Sequence, residues 1–129
     1  MAHNFVEDVT VNVGGRVITG IADDGVTYGK QEDNIEMNVG SEGDVLTNVL
    51  YNPTGQITIR LKANSPSITY LNRLANSKRP TSASVRRTGS VNETAGGTSA
   101  YVTRPAEANV GRTAGNREYI IMVEDYQQR

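Results

Sequence analysis

The sequence predicts a mainly β fold carrying a single helix, and three observations predict it. Apolar and polar residues alternate with a period of two in several separate runs, as half-buried strands require. These runs are punctuated by Gly-Gly, Gly-Ser-Glu-Gly and Asn-Pro-Thr-Gly, residues that suit tight turns. Only after Ser65-Pro66 does the apolar spacing change to steps of three and four. At 129 residues the chain is read as one domain, 1–129, able to bury roughly two-thirds of its unfolded surface.

Val9, Val11 and Val13 alternate with Thr10 and Asn12, and Gly14-Gly15 then turns the chain toward Val17, Thr19 and Ile21. Two alternating runs around two glycines predict a hairpin. Ala22-Asp23-Asp24-Gly25 predicts another turn, without the ligand spacing of a calcium loop. Val26–Tyr28 is a short strand, and 29–34 a polar link. The block from Ile35 to Leu74 is the most regular part. Ile35, Met37 and Val39 alternate with Glu36 and Asn38, predicting a strand with its apolar side in the core. Gly40–Gly43 turns the chain into a second strand, Asp44–Tyr51. Asn52–Gly55 turns it again into Gln56–Lys62, with Ile57, Ile59 and Leu61 inward and Thr58, Arg60 and Lys62 outward.

Ser65 is a natural N-cap, and Pro66 fits the first helical position, where its missing N–H costs nothing. Ile68, Leu71, Leu74 and Ala75 form the apolar stripe of a helix over about 66–77, with Thr69, Asn72, Arg73 and Asn76 facing away. Lys78, Arg79 and Pro80 mark its end. Strand pattern returns over Thr81–Thr88. Gly89–Thr98 reads as a long polar loop, Ser99–Arg104 as a strand and 105–116 as irregular. Ile120–Val123 is apolar at four consecutive positions, which predicts a strand covered on both faces.

Composition narrows the function. Hydrophobic residues at 36% and charged residues at 21% are not the signature of disorder. No apolar run approaches the ~20 residues needed to cross a bilayer, so no membrane partner is expected. The first residues lack the basic and apolar regions of a secretory signal, and there is no cysteine; synthesis and assembly in a cytoplasm is the expectation. The only histidine is His3, near the N-terminus, and adjacent carboxylates such as Glu124-Asp125 would point to opposite sides of a strand. Neither glycine pair opens a phosphate-binding helix. No catalytic residue, metal ligand or cofactor site is predicted, and an enzyme is not expected. Lys78-Arg79 and Arg86-Arg87 form a basic cluster, but without the interleaved aromatics of a single-strand binder.

Charge is distributed unevenly. Residues 1–59 carry nine acids against Arg16 and Lys30, a net of −7; residues 60–92 carry seven bases and no acid. Such polarity suits head-to-tail contacts between copies, or neutralisation of one segment by another within the fold.

The central block also carries a resemblance. Val39-Gly40, Gly43 and Val45 are followed by Asn52, Gly55, Ile57, Ile59 and Leu61, then Ser65-Pro66-Ser67 and Leu71-Asn72 with Leu74. In this order they resemble the tail tube proteins of contractile-tailed bacteriophages. Val9–Gly25 and Gly111–Val123 fit the same pattern. That family is in turn similar to the inner-tube proteins of type VI secretion. The resemblance implies two packed, mostly antiparallel sheets, a β-sandwich or barrel with one flanking α-helix. It implies hexameric rings that stack into a hollow tube, located in the virion tail and assembled in the host cytoplasm. Tail sheath, baseplate and tail terminator proteins would be partners, and double-stranded DNA would pass through without specific binding.

A conduit for DNA should avoid inward bases, because each phosphate neutralised by Lys or Arg strengthens binding. Residues 31–59 hold five acids and no base, so Glu36, Asn38, Asn48 and Gln56 are the expected lumen-facing residues. Arg60 shares the face of Gln56 and must lie at a rim or pair with an acid. Loops 23–34 and 89–98 are expected to reach the next ring through Asp23, Asp24, Glu32, Asp33, Asn92 and Glu93. Arg73, Lys78 and Arg79 are expected at subunit contacts of the helix. The alternatives are a ring protein of a secretion-type tube and a free β-sandwich binding module. One Phe, six Tyr and no Trp give the binding module a poor platform.

Overall fold

A computed structural model describes residues 8–31, 33–49, 53–89, 92–108 and 115–129. The elements are β1 (Asp8–Val13), β2 (Arg16–Val17), β3 (Ile21–Lys30), β4 (Ile35–Val39), β5 (Val45–Val49), β6 (Gly55–Leu61), α1 (Ser67–Ser77), β7 (Thr81–Thr88), β8 (Glu93–Val102), β9 (Arg117–Val123) and β10 (Gln127–Gln128). His3, Glu32, the stretch 50–52 and the stretch 109–114 lie outside the described residues, as do the side chains of Asp23 and Asp24.

Eight strands form one antiparallel sheet in the order β2-β1-β7-β8-β9-β6-β3, with β10 added beside β8. The first turn is as the glycines predict, but its second strand is only Arg16–Val17, and Ile18 rather than Val17 is buried. Gly14 and Gly15 have φ of 62° and 83°, and Val13 pairs with Arg16 across them. Such a doubly left-handed turn matches the twist of its strands and favours glycine at both places.

One face of the sheet is the core. Val11, Val85 and Ala95 lie side by side by register, as do Ile57, Ile121 and Val102. Each of these six is at most 5% exposed, so each contributes roughly the full transfer free energy of its side chain, about 1.5–3 kcal/mol for Val or Ile. Helix α1 lays Ser67, Leu71 and Ala75 into this core. The Ser65 hydroxyl accepts from Ser67 N at 3.2 Å and donates to Thr19 O at 2.6 Å, so the helix start is capped and tied to the segment before β3. Tyr70 donates to Val13 O at 2.8 Å. Asn72, expected to face outward, accepts a hydrogen bond from the fully buried Tyr119. The helix ends at Lys78, whose φ of 56° is the left-handed stop usually given to glycine.

The sheet is strongly curled. Tyr28 of β3 and Glu93 of β8 both lie on the core side, and their side chains are hydrogen-bonded although β9 and β6 separate them in the sheet. The architecture is therefore a curled antiparallel sheet, a half-barrel, with one helix on its core side. The second of the two expected sheets is only the β4–β5 hairpin, and it lies outside the core.

Four sequence expectations are corrected. Ile35, Met37 and Val39 are exposed in the chain, because their hairpin projects from the domain. Ala22–Gly25 is not a turn between strands but a bulge within β3: Ile21 pairs with Leu61 and Val26 with Ile59, leaving four residues opposite Arg60. Within the segment 89–98, the residues from Glu93 on are not loop but strand β8 in the middle of the sheet. Its glycines serve close packing instead. A Cβ on Gly96 would sit 2.1 Å from Ala83 O, and one on Gly97 would sit 2.3 Å from Asp125 Oδ1. Finally, Ile120 and Met122 are partly buried on the face opposite the helix, so the helix is not what covers that side of β9.

Candidate assembly and channel surface

The helix-free face of the curled sheet follows from strand alternation. Register places Thr10, Arg86 and Thr94 in one row across it, and Gln56 beside Met122 in another. Thr27, Thr58 and Ile120 form a third row, and Arg60 lies opposite Glu118. The surface is chiefly hydroxyl and amide. Gln56 Nε2 donates to Thr58 Oγ1 at 3.3 Å, and Gln31 Nε2 donates to Gln56 Oε1 at 3.4 Å. Arg60 is the base that sequence placed awkwardly beside Gln56. Its Nε lies 3.4 Å from Glu118 Oε2 and its Nη1 donates to Thr27 Oγ1 at 3.0 Å. The strand pairing of β6 with β9 thus sets an acid against it.

The hairpin β4–β5 has two unlike faces. Glu36 pairs with Asn48, and Asn38 with Leu46, so the predicted lumen residues Glu36, Asn38 and Asn48 share one face. The other face pairs Ile35 with Val49, Met37 with Thr47 and Val39 with Val45. Gln56, the fourth predicted lumen residue, sits on the main sheet rather than beside them.

The other predicted residues are scattered. Asp33 is exposed next to the hairpin. Asp23 and Asp24 lie in the bulge of β3. Asn92 Oδ1 accepts from Gly89 N at 3.3 Å, between the end of β7 and the start of β8. Glu93 accepts from Tyr28 and, at 3.1 Å, from Gln128 Nε2, whose own Oε1 accepts from Tyr126 at 2.7 Å. It therefore holds its own chain together. Arg73, Lys78 and Arg79 are exposed at the helix and just beyond it.

Two charged constellations were missed from sequence. In the first, burial, and then the Glu93 hydrogen bond, push the Tyr28 hydroxyl above its usual pKa. In the second, the Asp125 carboxylate accepts from Thr98 Oγ1 at 2.6 Å and from the N–H groups of Thr98 and Ser99 at 3.0 Å. The Thr98 hydroxyl, with those amides, holds Asp125 down at about 2. Neither shows in sequence, because each joins residues at least 26 positions apart.

Among the described residues no group of His, Cys, Asp or Glu is arranged to hold a metal ion, and no helix is long and apolar enough to cross a membrane. A shallow groove lined by Thr103, Arg104, Asn116 and Glu118 contains no nucleophile paired with a base.

Comparison with known proteins fits this architecture. The fold is similar to a chain of an extracellular contractile injection system, a PVC sheath/tube terminator, with 16% identity and a TM-score of 0.59; 94% of this chain and 92% of that one are covered. It is also similar to Hcp1 from Salmonella typhimurium, at 12% identity and TM-score 0.56, covering 96% and 86%. A chain of the 6-fold symmetrised anti-feeding prophage baseplate matches at 11% identity and TM-score 0.55, covering 100% and 95%. These likenesses show the fold. No curated protein matches the chain by sequence. The family model described as bacteriophage PhiTE tail tube protein matches residues 9–112. The chain belongs to that tail tube family and is a tube-forming structural protein of a tail or injection apparatus.

Proposed function

We propose that the chain is the ring subunit of a phage tail tube whose channel conducts double-stranded DNA. Six copies close into a ring, as the 6-fold symmetrised baseplate relative suggests, and rings stack into the tube. The observation that carries the reading is the helix-free sheet face. Its rows are mostly Thr and Gln with Ile120, Met122 and the exposed Arg86 among them, and its Arg60 is matched by Glu118 at 3.4 Å. A polyanion slides past hydroxyls, amides and matched charges with few counterions to exchange, and so binds weakly. Gln56 lines the channel from the sheet, over the buried Thr58. Glu36, Asn38 and Asn48 extend the same wall from the hairpin and add a carboxylate that repels phosphate.

Asp23, Asp24, Glu32, Asp33 and Asn92 supply polar contacts to adjacent rings, and Arg73, Lys78 and Arg79 supply basic contacts between subunits. Sheath, baseplate and terminator proteins are the assembly's further partners. A second reading, the tube of an injection apparatus with different cargo, is favoured by the solved structures of similar fold.

Negative-stain microscopy of the purified chain tests the assembly. Hollow six-fold rings or tubes are expected; monodisperse small particles would exclude a tube subunit. DNA that stays bound to assembled tubes at physiological salt would exclude the low-friction conduit.

A further inference from the structure

Strands β7 and β8 carry a notch on their outer side, the side away from the helix. Register sets Arg86 opposite Thr94, and Thr94 exchanges backbone hydrogen bonds of 2.9 and 2.8 Å with Arg129. All three side chains are exposed and stand in one row, a guanidinium on either side of a hydroxyl. In the next row Ser84 lies opposite Gly96, and Gly96 opposite Gln127. Gly96 adds no side chain there, and a groove of about 260 Å³ opens between Ser84, Thr94, Gln127 and Arg129. Its lining includes no acid. Among the described residues Arg86 has no hydrogen-bond or ion-pair partner, and Arg129 Nη2 donates only to the neutral Gln127 Oε1. The carboxylates close in sequence are engaged elsewhere: Asp125 by Thr98 and Ser99, and Glu93, on the core side, by Tyr28 and Gln128. Asp8 lies one row beyond, opposite Thr88. The contact of Tyr28 with Glu93 across the inside of the curl means that the outer sides of β3 and β8 face apart. The Arg86 row is therefore turned away from the Gln56 row.

We propose that this notch binds a phosphate-type dianion, held over Thr94 by the guanidiniums of Arg86 and Arg129. Strands lie about 4.8 Å apart, so the two arginines start about 10 Å from each other, a span that two long side chains close onto one tetrahedral anion. Guanidinium N–H groups meet phosphate oxygens in paired, charge-assisted hydrogen bonds. The Thr94 and Ser84 hydroxyls and the Gln127 amide supply neutral donors beside them. Two positive charges match a dianion; a phosphodiester or a carboxylate brings one negative charge. The site lies within one chain and does not depend on the ring reading, so binding is expected of the single subunit.

Titration of the full chain with inorganic phosphate near pH 8, at constant ionic strength, tests the assignment by backbone amide NMR. The amide signals of Thr94, Gly96 and Gly97 should shift and saturate at about millimolar phosphate, with no such response to chloride. Arg86→Ala and Arg129→Ala, each with unchanged far-UV circular dichroism, should bind at least tenfold more weakly. Dimethyl phosphate, a monoanionic diester, should also bind at least tenfold more weakly than phosphate. Shifts that rise without saturating, that chloride reproduces, or that both variants retain in full would overturn the site. Dimethyl phosphate binding as tightly as phosphate would assign the notch to a diester such as a nucleic-acid backbone, and the dianion proposal would fall.

Discussion

The Tyr28 hydroxyl on border strand β3 donates a hydrogen bond to the Glu93 carboxylate on β8, although two strands lie between them in the sheet. This contact spans the mouth of the curled sheet and holds its curvature. Gln128 and Tyr126 extend the network to the C-terminal strand. Replacing Tyr28 with Phe removes the donor and leaves the ring in place. A hydrogen bond to a charged acceptor in this partly exposed setting is worth about 1–2 kcal/mol. Tyr28→Phe is therefore expected to lower the unfolding free energy by that amount, which moves the urea midpoint down with an unchanged slope. An unchanged midpoint would mean the curl is fixed by backbone pairing alone.

Tyrosine titration sets an alkaline limit. Burial raises the pKa of Tyr28, Tyr119 and Tyr126 above 10.0, and Tyr126 reaches about 12. Each group holds its proton more tightly in the folded state. Its contribution is complete below about pH 10 and is lost as pH rises through the folded value. Thermal melts should show stability level near pH 8–9 and falling between about pH 10 and 12. Tyr126→Phe should flatten that fall; a fall of the same steepness in the variant would assign it elsewhere.

Asp125 sets the acid side with the opposite sign. Its pKa is lowered from 3.8 to about 2, first by the Thr98 hydroxyl and then by backbone amides. The contribution is present above the unfolded value and disappears as pH falls from about 4 toward 2. Asp125→Asn should melt below wild type at pH 7, and the two curves should converge as pH approaches 2. A constant gap across that range would show that the loss is steric rather than electrostatic.

Gly96 is held by geometry on two counts. Its φ is 134°, a region that L side chains rarely adopt, and an added Cβ would lie 2.1 Å from Ala83 O. The obstructing atom is backbone in the middle of the sheet and cannot swing aside. Gly96→Ala should cost about 3 kcal/mol or more, placing it among the severe single substitutions. Gly15→Ala, which also has a positive φ but open space around it, should cost distinctly less. Equal losses would mean that backbone strain, and not the clash, decides both.

The same glycines explain what sequence could and could not reveal. Val9–Val13, Gln56–Leu61 and the Ser65-capped helix were legible, because alternation, turn chemistry and capping are local. Gly89–Thr98 was misread as a loop because its composition signals a turn, while the reason for its glycines is the proximity of Ala83 and Asp125, which only the fold supplies. The hairpin was misread in a more informative way. Its alternation of Ile35, Met37 and Val39 correctly marks a strand with one face to be covered, but period alone does not say whether the cover comes from the same chain. On the helix-free face, the outward sides of Gln56 and Arg60 were readable, whereas Thr58 on the same side is buried by its neighbours. The acid opposite Arg60 was not, since Glu118 lies 58 positions away in sequence.

Arg60 and Glu118 offer the most direct test of the channel. The pair is partly exposed, at 25% and 53%, and an ion pair of this kind adds only about 0–1 kcal/mol to stability. Glu118→Gln should accordingly fold and assemble as wild type does. It removes the carboxylate facing Arg60, so every subunit then presents more positive potential to whatever lies on this face. Six such sites in a ring would engage phosphate repeatedly along a duplex, and retention would fall steeply with salt because each contact releases counterions. Assembled Glu118→Gln tubes are expected to retain labelled double-stranded DNA at about 50 mM salt and to release it by about 200 mM, while wild-type tubes retain little at either. Arg60→Gln/Glu118→Gln should return to the wild-type result, since the site is then neutral again. Equal retention by wild type and Glu118→Gln would mean that this face does not line the channel.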